Sequence, residues 1–235
     1  MCKMSLSISI ILCTFNEALT IKQTIDQILN KLPESEILII DDNSEDGTQE
    51  IIKRIDSKRI TLISRKSRGL ASACLVGLIF STKEVVCWID SNQPNLVCEI
   101  PKMVTELNNN DIAVMSRYVD GGKDLRSKQR VFSSILINHI CKLFLDKTIK
   151  DYTSGIFAMK KKILIELTPI SYGHGEYFIE FLYMAKKKGL RIKEIPFIQP
   201  PDIEGLSKTA SSIFRFLRLG LSYILRIILS KIERR

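Results

Sequence analysis

Short runs of β-branched and other apolar residues alternate along the first half of the chain with segments whose apolar positions recur at helical spacing. This alternation constrains the fold more than any other feature. Ser7–Cys13, Glu36–Ile40, Ile60–Ile63, Val85–Ile89 and Ile112–Met115 read as strands, nearly continuous in apolar character and so buried on both faces. Between them, Ala18–Leu32, Thr48–Ile55, Leu70–Phe80 and Glu99–Leu107 read as helices. Strand–helix repetition of this kind demands right-handed crossovers and a mostly parallel sheet in an α/β fold. In such sheets the ligand lies outside the carboxyl ends of the strands. A longer helix at Lys128–Leu145, a short strand at Gly155–Met159, a helix at Tyr177–Lys187 and a strand at Arg191–Ile195 complete the globular part. No linker rich in Pro, Gly or Ser divides it, which predicts one domain over 1–208 and a C-terminal helix within 209–235.

Polar clusters follow three strands directly. Thr14-Phe15-Asn16-Glu17 comes after the first, Asp41-Asp42-Asn43-Ser44-Glu45-Asp46-Gly47-Thr48 after the second, and Asp90-Ser91-Asn92-Gln93 after the fourth. Taken alone, the second cluster reads equally as a turn and helix start, since Asp, Asn, Ser and Gly suit both. Three acidic clusters at one sheet edge need a cation or hydrogen-bond donors to offset their repulsion, which favours a nucleotide-sugar site. The first strand lacks the GxGxxG turn, so a helix N-terminus does not serve the pyrophosphate as in dinucleotide folds.

Charge and cysteine use narrow the partners. The net charge is +9, but the basic excess begins only after the first hundred residues and peaks near the end. That argues against nucleic acid and for an anionic ligand or membrane surface. Six cysteines without a CxxC pair argue against a structural zinc site, and Cys13, Cys87 and Cys141 read as buried hydrophobes in a reducing compartment. The apolar run before Thr14 reads as a first strand, not a signal peptide, and nothing approaches 18 uninterrupted apolar residues. His139 reads as packed within its helix, whereas His174-Gly175-Glu176 is a loop and a poor metal site.

The C-terminal segment carries the other strong signal. Arg215, Arg218, Ser222, Arg226, Ser230 and Glu233 recur every three or four residues as one narrow polar stripe on an otherwise apolar helix. Arginines along it make a bilayer crossing expensive. The expectation is a helix lying in a membrane interface with its arginines toward phosphate headgroups; packing in a homo-oligomer or against a membrane-protein partner is the alternative.

These residues together resemble the family 2 glycosyltransferases of the GT-A fold, nearest to the dolichyl- and polyprenyl-phosphate mannose and glucose synthases. The resemblance is carried by Thr14–Glu17, Asp41–Ser44 with Asp46-Gly47-Thr48, and Ser116-Arg117-Tyr118 with Gly121-Gly122. It continues through Asp151–Gly155, Glu180 and Gly205-Leu206-Ser207-Lys208, in order from about residue 8 to 208. It implies a GT-A three-layer sandwich, and an inverting transfer of a hexose (mannose from GDP-mannose being commonest) to a polyprenyl or dolichyl phosphate at the cytoplasmic face of a membrane. It also implies that Cys13, Phe15, Glu17, Ile40 and Asp42 contact base and ribose. Asp90, Ser91 and Asn92 fall on the metal and diphosphate motif, with Gln93 as a further oxygen donor for Mg or Mn. Arg117, Arg130 and Lys208 fall where phosphates bind. Two positions depart from the pattern: Asn92 stands where the family has Asp, which removes one negative charge and weakens the metal site, and Asp202 stands where it commonly has arginine. A non-catalytic nucleotide- or lipid-binding subunit, and a transferase acting on a glycan or glycolipid, are the alternatives those departures leave open.

Overall fold

The structure, a computed structural model, describes residues 7–201 and 213–232, with side chains from Gly220 onward in the last helix. Its centre is a seven-stranded sheet. β1 (Ile8–Thr14), β2 (Glu36–Asp41), β3 (Ile60–Ser64), β4 (Val85–Trp88), β5 (Ile112–Ser116), β7 (Phe157–Lys160) and β8 (Ile192–Pro196) lie in the order β3-β2-β1-β4-β7-β5-β8. Every pairing is parallel except those of β7, which runs antiparallel between β4 and β5. Two-residue strands β6 (Lys123–Asp124) and β9 (Ile198–Gln199) form a small parallel ribbon that the sequence pattern did not signal.

Alternation along the strands sorts the core into two layers. Ile10, Leu12, Ile37, Ile39 and Cys87 face one side, against α1 (Ile21–Lys31), α2 (Thr48–Lys53) and α4 (Ile100–Glu106). Ile11, Leu38, Ile40, Val86 and Trp88 face the other, against α3 (Leu70–Phe80), α5 (Lys128–Phe144), α6 (Glu176–Lys187) and α7 (Ile213–Ile232). The expected three-layer sandwich is thus formed. Gly77 lets α3 lie close on β1, since a Cβ there would collide with Ile11. Trp88 stacks on Tyr177 with ring centroids 5.3 Å apart, and Phe157, Phe178 and Phe181 extend this aromatic cluster beneath β4 and β7.

Three details differ from the sequence-based expectations. The turn after β1 occupies Ala18–Thr20, so α1 begins at Ile21. His139 is exposed on α5, its Nδ1 3.2 Å from the Ile135 carbonyl of the preceding turn. The orientation of α7 is also reversed where its side chains are described. Ile227 and Ser230 are fully buried. Arg226 turns inward and donates from Nη1 to Glu180 Oε2 on α6 at 2.8 Å. The apolar Leu221, Leu225, Ile228 and Ile232 are the side chains that face outward. The polar stripe therefore supplies Arg226 as a partner for the buried Glu180, while Leu221, Leu225, Ile228 and Ile232 are left exposed. Arg215 and Arg218 precede the described side chains, and Asp202, Lys208 and Glu233 lie outside the described residues. No described helix is long and apolar enough to cross a membrane.

Candidate active site

A cavity of about 1270 Å³ opens at the carboxyl ends of β1, β2, β4 and β5. It brings together Cys13, Phe15, Glu17, Asp42, Asp90, Ser91, Asn92, Gln93, Arg117 and Arg130, which the sequence had separated by more than a hundred residues. Ile40 is the exception among the described candidates: it points into the core layer beside α3 and does not line the cavity.

Local structure explains which acids reach the cavity and which do not. Asp41 is fully buried and accepts hydrogen bonds from Thr14 Oγ1 at 2.7 Å, Ser44 N at 2.9 Å and Gln49 Nε2 at 2.8 Å. Asp46 accepts from Ala18 N at 3.0 Å and Thr48 N at 3.1 Å, which hold its carboxyl below the usual range despite the opposing effect of burial. Asn16 N donates to Ser44 Oγ at 2.9 Å, and Glu45 N donates to Asn16 Oδ1 at 3.0 Å. Asn16 and Asn43 both sit at positive φ, a conformation Asn tolerates better than most residues. The loops after β1 and β2 are therefore knitted to each other by the turn chemistry of the second cluster, and the aspartate of it that lines the cavity is Asp42.

Asp42 meets two groups that sequence reasoning missed. Arg65, just past β3, donates from Nε to Asp42 Oδ1 at 2.8 Å, and Gly69 N donates to Oδ2 at 2.8 Å. Arg68 lies over the Phe15 ring with its guanidinium carbon 4.0 Å from the centroid, and both residues line the cavity. The signal was present: Arg65-Lys66-Ser67-Arg68 follows a strand end just as the acidic clusters do.

The loop after β4 is pinned from two sides. Ser91 Oγ donates to the Cys13 carbonyl at 2.9 Å, and Thr24 Oγ1 donates to the Ser91 carbonyl at 2.8 Å. Asp90 is left facing the cavity, where burial and the charge of Glu17 push its carboxyl up to about 6 against the pull of Arg126, Arg117 and Arg130. Gln93 donates from Nε2 to Asp90 Oδ2 at 2.8 Å, and its carbonyl accepts from Gln199 Nε2 at 3.2 Å. Its oxygen would have to exchange partners to bind a cation. Among the described residues no group of three His, Cys, Asp or Glu side chains has metal-binding geometry. The donor set is one carboxylate, Asp90, with the neutral amide oxygens of Asn92 and Gln93. These are hard oxygen ligands of the kind Mg or Mn accepts when substrate phosphates complete the shell.

Opposite the acids stand three arginines. Arg117 is buried and bound in a fork by Asp151, from Nε at 2.8 Å and Nη2 at 2.7 Å, with Nη2 also donating to Thr153 Oγ1 at 2.7 Å. Burial works against its charge, but Asp151 outweighs that and keeps the guanidinium protonated. Arg126 makes a second fork to Asp124, at 2.8 Å and 2.6 Å, and lines the cavity. It too was missed, although it stands four residues before Arg130 at the entry to α5. Arg130 completes the cationic wall from the first turn of α5.

The third side is closed by α7 and the loop before α6. His174 lines the cavity, and burial holds its imidazole below the ordinary value although Glu176 opposes this. Glu176 Oε2 accepts from the backbone N of His174 at 3.0 Å and of Gly175 at 2.9 Å, so this carboxylate shapes the loop. Tyr223 of α7 rests on that loop: a Cβ at Gly175 would collide with its hydroxyl. Gly220, Tyr223 and Ile224 form the α7 wall, and Leu136, Ile137 and Ile140 the apolar wall from α5.

Comparison with known proteins agrees with this fold. Residues 9–168 match the family model for glycosyl transferase family 2. A dolichol-phosphate mannosyltransferase of Pyrococcus furiosus is 32% identical over 91% of this chain, which spans 62% of that relative's length. A polyprenol monophosphomannose synthase of Mycolicibacterium smegmatis is 25% identical over 88% of this chain and 82% of its own. Among solved structures, glucosyl-3-phosphoglycerate synthase from Mycobacterium tuberculosis, in complex with Mn2+, uridine diphosphate and phosphoglyceric acid, superposes with a TM-score of 0.74. It covers 96% of this chain and 78% of its own at 17% identity, a likeness of fold.

Proposed function

The chain belongs to glycosyl transferase family 2, and from that premise we propose that it moves a hexose, mannose from GDP-mannose, onto a polyprenyl or dolichyl phosphate with inversion at the anomeric carbon. The observation that carries this reading is a single cavity whose walls divide by chemistry. Glu17, Asp42 and Asp90–Asn92 share the cavity with Arg117, Arg126 and Arg130, and α5 and α7 add the apolar Leu136, Ile137, Ile140, Tyr223 and Ile224.

That division suits the two substrates. The donor nucleotide lies over the ends of β1 and β2, with its base and ribose near Phe15, Arg68, Glu17 and Asp42. Its diphosphate reaches the Asp90–Asn92 corner. Asp90, with Asn92 or Gln93 as neutral donors, would hold a divalent cation there, which when bound would supply Lewis-acid stabilisation of charge on the departing nucleoside diphosphate. Asn92 leaves the protein one carboxylate short there, so affinity for the cation alone is low and rises when donor phosphates join the shell.

The acceptor needs no general base. A phosphate monoester has its second pKa at about 6, so the attacking oxygen is already anionic at neutral pH. What it needs is cationic charge to bring it beside a second anion. Arg126 and Arg130 supply this, with Lys208, which lies outside the described residues, as a further cation. Arg117, clamped by Asp151 and Thr153, lends its charge from a fixed position. Burial disfavours the protonated form of His174, which lines the same cavity. The α5 and α7 walls receive the first isoprene units, and the protein then works peripherally on a membrane, at its cytoplasmic face.

The test is a transfer assay with purified protein, radiolabelled GDP-mannose or UDP-glucose, a polyprenyl phosphate and Mn2+. Label entering the organic phase only when the lipid phosphate is present is the expected result. Donor hydrolysis without lipid labelling points to a glycan or glycolipid acceptor. Nucleotide binding without any turnover points to a non-catalytic subunit, the reading that Asn92 favours.

A further inference from the structure

A second cavity, of about 950 Å³, opens at the other edge of the sheet, where β4 begins and β7 ends. Its size falls within the range of small-molecule pockets, about 300–1,000 Å³. The floor is apolar. Leu78 comes from the α3 layer of the core, Val85 and Leu107 from the α4 layer, and all three are buried. Leu75 and Leu164 are half-buried beside them, and Ile79 and Ile165 line the cavity while 61% and 89% exposed. Both core layers therefore reach solvent here, on one concave surface.

The polar part of the lining is cationic. Lys83, Lys160, Lys161 and Lys162 contribute to it, and among the described lining residues Glu84 is the one carboxylate set against them. Backbone pairing gathers the lysines: Val85 lies opposite Lys160, and Lys161 N donates to the Glu84 carbonyl at 2.8 Å. Two of them are engaged within the fold. Lys160 pairs with Asp111 at 3.5 Å, and Lys161 Nζ donates to the Ser81 carbonyl just past α3. No described residue bonds the ammonium groups of Lys83 and Lys162. Glu36, which binds Thr82 of the lining, is already taken up by Thr82 and Ser9. Like charges held together above an apolar floor call for an anion, and a second copy of the chain would bring only more lysines. No aromatic ring is among the described lining residues, so the cavity lacks the stacking platform a nucleotide base would use.

We propose that this cavity binds one molecule of a single-chain anionic amphiphile, its alkyl chain on Leu75, Leu78, Val85, Leu107 and Leu164 and its carboxylate or phosphate headgroup between Lys83 and Lys162. A concave apolar floor admits one chain and excludes a flat surface. The site lies at the amino ends of the strands, whereas Asp90 and Arg117 stand at their carboxyl ends. It is therefore separate from the candidate active site and does not depend on the hexosyl-transfer reading.

The experiment is calorimetric titration of the purified full chain with dodecanoate and with dodecyl phosphate, each below its micelle concentration, beside the uncharged dodecyl maltoside. Both anions are expected to bind saturably, and the maltoside at least about tenfold more weakly. The tighter anion identifies the natural headgroup, a fatty acid if dodecanoate and a lipid phosphate if dodecyl phosphate. A combined Lys83→Gln, Lys162→Gln variant is expected to weaken both anions about tenfold and leave the maltoside unchanged. Its melting temperature should equal that of the wild type, because neither ammonium group has a partner in the fold. Ile79→Gln alters an exposed part of the apolar lining and should weaken all three amphiphiles alike. Wild-type affinity for the anions in the double lysine variant overturns the proposal, and so does equal binding of the maltoside by the wild type. Anion binding that survives the lysine changes and is lost in Arg126→Gln also overturns it, by placing the chain in the active-site cavity. None of these readouts uses hexosyl transfer, so the outcome is independent of that activity.

Discussion

Two ion pairs, Asp42 with Arg65 and Arg117 with Asp151, hold residues that line the cavity, and they are built differently. On the β1–β3 side, Asp42 is held by Arg65 and by the backbone N of Gly69, within loops that supply many short-range donors of their own. On the β5–α5 side, Arg117 is held by Asp151 from a distant part of the chain, with Thr153 and a longer 3.5 Å approach to Asp124. The first arrangement is mostly turn chemistry that also happens to position a carboxylate. The second is a long-range charge network, and removing one member strands another charge in a low-dielectric interior. The acidic loops thus combine turn hydrogen bonds with contacts between the loops after β1, β2 and β3, whereas the Arg117 fork comes wholly from Asp151, 34 residues away.

That contrast can be broken at its strongest point first. Asp151→Asn leaves Arg117 buried without its fork partner and should cost about 3–5 kcal/mol, the usual penalty for splitting a buried pair, read as a lower urea midpoint. The same pair predicts the acid response. Burial opposes the charge on Asp151, yet Arg117 holds its carboxyl below the ordinary value, and Asp124 is likewise lowered by Arg126. Carboxylates depressed in the folded state stabilise it above their unfolded pKa of about 3.9, and that contribution disappears as pH falls below it. The wild type should thus lose stability steeply below about pH 4, and Asp151→Asn should show a shallower slope; parallel slopes would refute the assignment.

On the acidic side the effects move from stability to chemistry. Asp90→Asn should reduce hexosyl transfer by at least about 100-fold, the scale of losing a key electrostatic group. The melting temperature of the metal-free protein should not fall, because burial and Glu17 already disfavour the Asp90 charge. Asn92→Asp restores a second carboxylate at that corner and should tighten Mn2+ binding about tenfold, the size of one favourable charge interaction of roughly 1.4 kcal/mol. Calorimetric titration of Mn2+ with and without nucleoside diphosphate measures it, and an unchanged affinity would place the cation elsewhere. Arg68→Ala should have the smallest effect. Losing a cation–π contact of about 0.5–1 kcal/mol with Phe15 corresponds to a two- to fivefold weaker nucleotide affinity with stability unchanged.

How far the residues could be read in advance follows the same division. The strands, the first four helices and the three acidic strand ends were legible because each depends on periodicity or turn chemistry within about ten residues. Within the second cluster, nothing local distinguished Asp41 from Asp42; the pleat decides it, burying one beneath Thr14 and Ser44 and turning the other to the cavity. Arg65 and Arg68 obey the strand-end rule, applied to β3, and were discernible on that ground. Arg126 and Tyr223 were not, since their roles depend on where α5 and α7 come to rest. Ile40 shares its face of β2 with Asp42 but lies two residues further from the carboxyl edge, packed in the core layer beside α3.

The sequence alone was enough to determine a mostly parallel α/β architecture with its acids gathered at the carboxyl edge, because hydrophobic period and turn composition act over a few residues. It also determined that the last helix is apolar around most of its circumference. Only the tertiary structure decided which way that helix faces, by offering Arg226 a buried carboxylate on α6, and which arginines oppose the acids, by bringing β5, the entry to α5 and Asp151 together. A charge is oriented by whatever partner the fold places within a few ångströms, and spacing along the chain carries no information about that partner.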